Sequence, residues 1–112
     1  MNPIVPREIE PRDAKAWIAS DRPPRIIDCR EPDEFAHCRI DGAELLPVSQ
    51  WPALALRALT DPAQPILVYC HHGIRSMRAA HFLEARGFAD VRSLAGGIER
   101  WSTEVDPSVP RY

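Results

Sequence analysis

The sequence predicts an α/β fold, a mostly parallel central sheet with helices on both faces. Three observations carry this. An apolar run at residues 65–69 and short segments at 25–29 and 91–94 are too short for buried helices and read as strands. Between them, apolar residues recur at helical spacing. In residues 76–86, Ala79, Ala80 and Leu83 share one face while Arg78, His81 and Glu84 fall on the other. Strand and helix then alternate along the chain, the order that builds a parallel sheet covered on both sides. With 112 residues, a single core is expected.

Taken in order, residues 1–6 form a Pro-containing lead-in and residues 7–104 the domain. Pro11 suits the first turn of a helix running to about Ser20, with Ala14, Trp17 and Ile18 on one face. Asp21-Arg22-Pro23-Pro24 stops it, and residues 25–29 read as a buried strand. A short helix is expected at residues 32–37 and a short strand at 43–46, closed by Pro47. Residues 49–59 read as a helix with Ser49 as N-cap and Pro52 in its first turn. Residues 65–69 form the central strand. The next helix ends at Gly87, a suitable C-cap. A strand at residues 91–94 and a short helix at 97–101 complete the domain. Residues 105–112 are expected to be an extended or loosely ordered tail. There is no internal repeat.

Composition bounds the function. Apolar residues at 45% and charged residues at 27% are ordinary for a soluble globule, so a soluble domain is expected. A formal charge of −2 gives no reason to expect nucleic acid or an anionic membrane as partner. No apolar run reaches the length of a membrane span, and the first residues lack the basic start and apolar core of a signal peptide. Three cysteines, none in a Cys-x-x-Cys pair, argue against a disulfide framework and for a reducing, cytoplasmic compartment. A monomer suits the size.

The chemistry concentrates in Leu67-Val68-Tyr69-Cys70-His71-His72-Gly73-Ile74-Arg75-Ser76. A strand delivers one cysteine to the first position of a short Gly-containing loop, and a helix follows. Loop N–H groups in such a turn point inward and form a nest for an anion. The helix N-terminus adds its partial positive charge. Both favour the thiolate, which is the nucleophile. Cys70 is therefore the candidate catalytic residue. His71, His72, Gly73, Ile74, Arg75 and Ser76 form its loop. Arg75 is expected to hold an anionic donor through its forked N–H groups, and at least one histidine to line the pocket. Ser76 has two compatible roles, capping the helix and donating to the sulfur. Cys29, inside its strand, reads as a structural core thiol. Cys38 lies in a polar turn, which leaves its burial open. His37, Cys38, Cys70, His71 and His72 match no zinc spacing, so neither metal nor cofactor is expected.

Cys70-His71-His72-Gly73-Ile74-Arg75-Ser76 resembles the active-site loop of the rhodanese sulfurtransferases. Two further stretches are similar to that family's signatures. They are Asp28-Cys29-Arg30-Glu31 with Glu34-Phe35 and Ile40-Asp41-Gly42-Ala43, and Leu94-Ala95-Gly96-Gly97-Ile98 with Trp101. The resemblance spans residues 7–104. One departure stands out, because Cys38-Arg39 occupy positions where the family usually has Gly-His.

The resemblance implies a rhodanese-like three-layer fold and a thiosulfate sulfurtransferase. Sulfane sulfur would pass from a small donor, through a persulfide on Cys70, to a thiophilic acceptor such as cyanide, a thiol or a protein. It also suggests that Asp28 and Arg30 support the loop rather than do chemistry, an ordinary ion pair being the alternative. Two other functions stay open. One is a persulfide carrier module that takes sulfur from a cysteine desulfurase and serves a sulfur-carrier protein. The other is a Cys-based phosphatase, whose similar loop is one residue longer. A phosphoryl group needs room for three gripped oxygens, so the shorter spacing from Cys70 to Arg75 favours sulfur.

Overall fold

The computed structural model describes residues 7–112, and the lead-in at residues 1–6 lies outside them. Its elements are β1 (Glu8–Ile9), α1 (Pro11–Ile18), β2 (Arg25–Asp28), α2 (Pro32–His37), β3 (Glu44–Leu45), α3 (Ala53–Ala58), β4 (Ile66–Tyr69), α4 (Ile74–Ala85), β5 (Val91–Leu94) and α5 (Gly97–Glu104). The five strands form one sheet in the order β1-β5-β4-β2-β3, and every pairing is parallel.

Side-chain alternation along the strands divides the core in two. Ile27, Ile66, Val68 and Val91 point to one face, where Ala55 of α3 and Ala79, Ala80 and Leu83 of α4 cover them. Ile9, Ile26, Leu67, Tyr69 and Leu94 point to the other, beneath Ala14 of α1 and Ile98 and Trp101 of α5. Strand β4 is apolar and buried along its length, and β2 is buried at every position but Arg25, as a sheet covered on both faces requires. The expected three-layer α/β arrangement is therefore what forms.

Chain direction reverses across the sheet between β2 and β4. From β2 the chain moves outward to β3, then returns to β4 on the opposite side of β2 and continues to β5. Such a switch point opens a crevice at the carboxyl ends of the two strands. Residue 29 follows β2 there, and residue 70 follows β4.

Several local expectations need correction. The two-residue β1 was not anticipated, because its length leaves no period to read. Ser49 does not cap a helix. A 3-10 turn at Val48–Gln50 precedes α3, whose N-cap is Pro52, and Ser49 Oγ instead donates to the Glu31 carboxylate at 2.9 Å. Nor does Ser76 cap α4, since that position falls to Gly73. Residues 106–112 form no helix or strand and are mostly exposed, but they are anchored at Val109. Val109 is buried in the second core, and Ser102 Oγ donates to its carbonyl at 2.6 Å. Cys38 is buried too, 7% exposed, in that same cluster.

Candidate active site

Cys70 is 1% exposed and sits directly after β4, on the α3/α4 face. Its Sγ accepts the Gly73 N–H at 3.1 Å and the Ser76 N–H at 3.4 Å. Ser76 Oγ lies 3.5 Å from the sulfur and 2.7 Å from Ser93 Oγ on β5. Ser93 can therefore donate to Ser76, which donates onward to the thiolate, each bond polarising the next. The first-turn N–H groups of α4 have no intrahelical acceptor, so directing them at an anion satisfies both partners.

These contacts hold the Cys70 thiol down at about 4. The largest cause is a hydrogen bond from the Cys29 thiol. Burial opposes it, and the Ser76 hydroxyl, Ser76 N–H and Gly73 N–H add to it. Cys70 is a thiolate at neutral pH. The Cys29 thiol is pushed up by the same hydrogen bond and by burial, and keeps its proton.

Glycine is required at two positions to shape the loop. Gly73 has φ of +101°, which turns its N–H inward, and a Cβ there would lie 3.3 Å from the Gly96 nitrogen. Gly97 has φ of +62°, and its Cβ would meet the His71 carbonyl oxygen at 2.3 Å. That close approach lets the start of α5 hold the loop from behind. Ile98 N–H donates to the Cys70 carbonyl at 2.9 Å and Glu99 N–H to the His71 carbonyl at 3.1 Å.

Arg75 is brought to the rim, but its fork is occupied. Its Nη1 and Nη2 donate to the two oxygens of Glu34 on α2 at 2.8 and 3.0 Å. The guanidinium, together with the Tyr112 hydroxyl and the Glu31 N–H, holds the Glu34 carboxyl down at about 2 against the effect of burial. Glu34 also closes a capping box with Glu31 at the start of α2, which fixes where it points.

His71 is half-buried and His72 exposed, with ring centroids 3.9 Å apart. Burial and the neighbouring His72 lower the pKa of His71, which favours its neutral form. Its Nε2 is buried without a hydrogen-bond partner, 3.8 Å from a Glu99 oxygen. Ile74 is 68% exposed beside the loop.

Asp28 and Arg30 are both fully buried and joined by a double hydrogen bond, Nε to Oδ1 at 2.9 Å and Nη2 to Oδ2 at 2.6 Å. The remaining Arg30 donors reach the Cys38 carbonyl at 2.5 Å and the Tyr112 hydroxyl at 2.8 Å. Tyr112 passes this on by donating to Glu34 at 2.7 Å. A chain of contacts thus runs from Asp28 through Arg30, Tyr112 and Glu34 to Arg75.

Four residues of the site escaped the sequence reading in this role: Cys29, Glu34, Ser93 and Tyr112. Cys29 and Ser93 were legible as buried strand positions, and sheet register alone reveals their neighbours. Glu34 and Tyr112 arrive from α2 and from the chain beyond α5, across sequence distances that no local pattern spans.

The Rhodanese-like domain family matches residues 10–104. The thiosulfate sulfurtransferase GlpE of Stutzerimonas stutzeri is 40% identical over 76 residues, which cover 68% of this chain and 68% of that protein. The probable adenylyltransferase/sulfurtransferase MoeZ of Mycobacterium tuberculosis is 34% identical over 104 residues, covering 93% of this chain but 26% of MoeZ. A chloroplastic rhodanese-like/PpiC domain-containing protein of Arabidopsis thaliana is 36% identical over 90 residues, 30% of its length. The chain thus spans less than a third of these last two relatives. Among solved structures, a rhodanese-like domain protein from Staphylococcus aureus superposes with a TM-score of 0.78 at 25% identity, over 97% of this chain and 99% of that one. With its parallel sheet, its loop and nearly its whole length matched, this chain belongs to the rhodanese-like domain family.

Proposed function

We propose that this chain is a sulfurtransferase that carries sulfane sulfur as a persulfide on Cys70. The observation that carries the reading is the ring of donors on one buried sulfur: Gly73 N–H, Ser76 N–H and Ser76 Oγ, with Cys70 held as thiolate. In the first half-reaction the thiolate attacks the outer sulfur of a donor such as thiosulfate. The sulfur–sulfur bond breaks, sulfite leaves with the electron pair, and Cys70 becomes a persulfide. The same amides then stabilise the charge on the outer sulfur, as an oxyanion hole does for oxygen. In the second half-reaction an acceptor nucleophile takes that sulfur and frees the thiolate, which gives ping-pong kinetics. The compartment that suits a free reactive thiol is the reducing cytoplasm. Among the described residues, no helix is long and apolar enough to cross a membrane.

The identity of the donor divides this reading. Glu34 neutralises Arg75, so the pocket rim has little pull on a small dianion such as thiosulfate. Beside it, the exposed Ile74 offers an apolar contact to a larger surface. Both favour a persulfidated protein as donor, such as a cysteine desulfurase, with a sulfur-carrier protein as acceptor. Comparing the rate of loading from thiosulfate with that from a persulfidated protein tests this. Faster loading from the protein supports the carrier reading, and equal loading from any small donor counts against it.

A further inference from the structure

Cys29 is a second thiol beside the candidate nucleophile, and the reaction above leaves it unused. Strands β2 and β4 pair in parallel, with Ile27 opposite Val68 and Asp28 opposite Tyr69. The next rung places Cys29 opposite Cys70, and Cys29 N–H donates to the Tyr69 carbonyl at 3.1 Å. By alternation both side chains leave the same face of the sheet, and both belong to the same buried cluster at 0% and 1% exposure. Neighbouring strands lie about 4.8 Å apart, inside the window of about 4.4–6.8 Å that a disulfide spans between Cα atoms. Each backbone is also pinned, since Val48 N–H donates to the Cys29 carbonyl and Ile98 N–H to the Cys70 carbonyl. Cys38, the remaining cysteine, lies in the other core.

We propose that Cys29 is a resolving thiol: it attacks the inner sulfur of the Cys70 persulfide, closes a Cys29–Cys70 disulfide and expels the outer sulfur as hydrosulfide. This rests on the persulfide reading above and adds a second exit for the sulfur. The bond between Cys29 Sγ and Cys70 Sγ forms. The bond from Cys70 Sγ to the outer sulfur breaks, and its electron pair leaves with the outer sulfur. The Cys29 proton passes to that departing sulfur, so no external base is needed. Cys29 is oxidised from thiol to disulfide level and the sulfane sulfur is reduced to sulfide, which balances without an added oxidant. A dithiol reductant then restores both thiols by exchange.

The order of events follows from the charges. While Cys70 is a thiolate, the hydrogen bond to it keeps the Cys29 proton in place, and Cys29 is silent. Loading moves the negative charge out to the second sulfur, among the Gly73 and Ser76 amides. The inner sulfur becomes electrophilic, and Cys29 is its nearest thiol in sequence register. Prompt transfer to an acceptor competes with this step, so resolution discharges a persulfide that no acceptor has met.

The test loads reduced wild type, Cys29→Ser, Cys29→Ala and Cys38→Ser with thiosulfate, removes the donor, and holds each protein without oxygen or acceptor. Intact mass and trapped hydrosulfide are followed over time. Wild type and Cys38→Ser should first gain about 32 Da, then fall to about 2 Da below the reduced mass as one equivalent of hydrosulfide appears. Peptide mapping should place the new link between residues 29 and 70. Both Cys29 variants should keep the added sulfur at least about tenfold longer and release no matching hydrosulfide. A wild-type persulfide that lasts as long as that of Cys29→Ser overturns this proposal alone. A link that maps to Cys38 overturns it as well. A donor series, persulfidated protein included, that adds sulfur to none of the four proteins overturns the sulfurtransferase reading and this proposal with it.

Discussion

The ring of Tyr112 lies flat on that of His71, with centroids 3.8 Å apart and planes 7° from parallel. A residue 41 positions downstream therefore roofs the loop that holds Cys70. The Tyr112 hydroxyl accepts from Arg30 and donates to Glu34, so one side chain joins the buried Asp28–Arg30 pair to the rim of the site. Tyr112→Phe keeps the ring contact and loses both hydrogen bonds, at a cost of about 1–2 kcal/mol. Tyr112→Ala loses the stacking as well, about 1 kcal/mol more. Urea unfolding of the variants measures both.

The pH dependence of Cys70 should be that of a strong thiolate. Its alkylation by iodoacetamide is expected to stay fast from neutral pH downward and to fall with a midpoint near 4. Ser76→Ala removes a hydroxyl donor from the sulfur and should raise that midpoint. Cys29→Ala should raise it further, because the Cys29 thiol is the largest contributor. The sign for stability follows. A thiol lowered on folding stabilises the folded chain fully above its unfolded value, about 8.5, and this contribution is lost as pH falls through the folded value. Cys29, raised on folding, acts in the opposite sense at high pH, so alkylation isolates Cys70 better than unfolding does.

Glu34 sets how strongly the rim attracts anions. Glu34→Gln leaves the Arg75 charge uncompensated and should lower the KM for thiosulfate several-fold with little change in kcat. Arg75→Gln leaves the Glu34 carboxylate unpaired instead, and its repulsion of the dianion should raise KM by about tenfold, near 1.4 kcal/mol. Because Glu34 titrates at about 2, the ion pair persists across the working range. The Glu34→Gln effect should therefore not vary between pH 6 and 8, roughly the physiological window. Steady-state kinetics at both ends of that window checks it.

Two glycines separate strain from collision. Gly87 and Gly97 both have positive φ, at +92° and +62°, yet nothing lies within 4 Å of a Cβ at Gly87. Gly87→Ala should cost about 1 kcal/mol from backbone strain alone. Gly97→Ala adds overlap with the His71 and Cys70 carbonyl oxygens, at 2.3 and 2.5 Å, and should cost about 3 kcal/mol or more. It should also slow alkylation of Cys70 by displacing the loop, which Gly87→Ala should not do. Thermal unfolding and alkylation rates distinguish the two.

These particulars show what a sequence can and cannot reveal. The strand of residues 65–69 was legible because a strand buried on both faces reads as an apolar run, and those of residues 25–29 and 91–94 because Pro24 and Asp90 bound short segments with apolar cores. Helix α2 was legible to the residue, since Pro32 opens it. The loop was legible because a cysteine between strand and helix has one geometry available. Burial of Cys38 is not legible in the sequence, since its polar neighbours Arg39 and Asp41 hide a turn that folds inward beside Ile40. The anchors within residues 106–112 are not legible either, because Pro and Ser signal a chain without periodicity and nothing local marks Val109 or Tyr112 as packed. The occupied fork of Arg75 depends on Glu34, and only the folded chain shows that pairing.

The most direct test of the central claim is intact mass after anaerobic loading with sulfane sulfur, on wild type and on Cys70→Ser. Thiosulfate and a persulfidated protein donor are tried in parallel, with mass read immediately after mixing. Wild type should gain about 32 Da, a gain removed by cyanide and absent from Cys70→Ser. An unchanged mass with every donor, or an adduct that survives on Cys70→Ser, would contradict it.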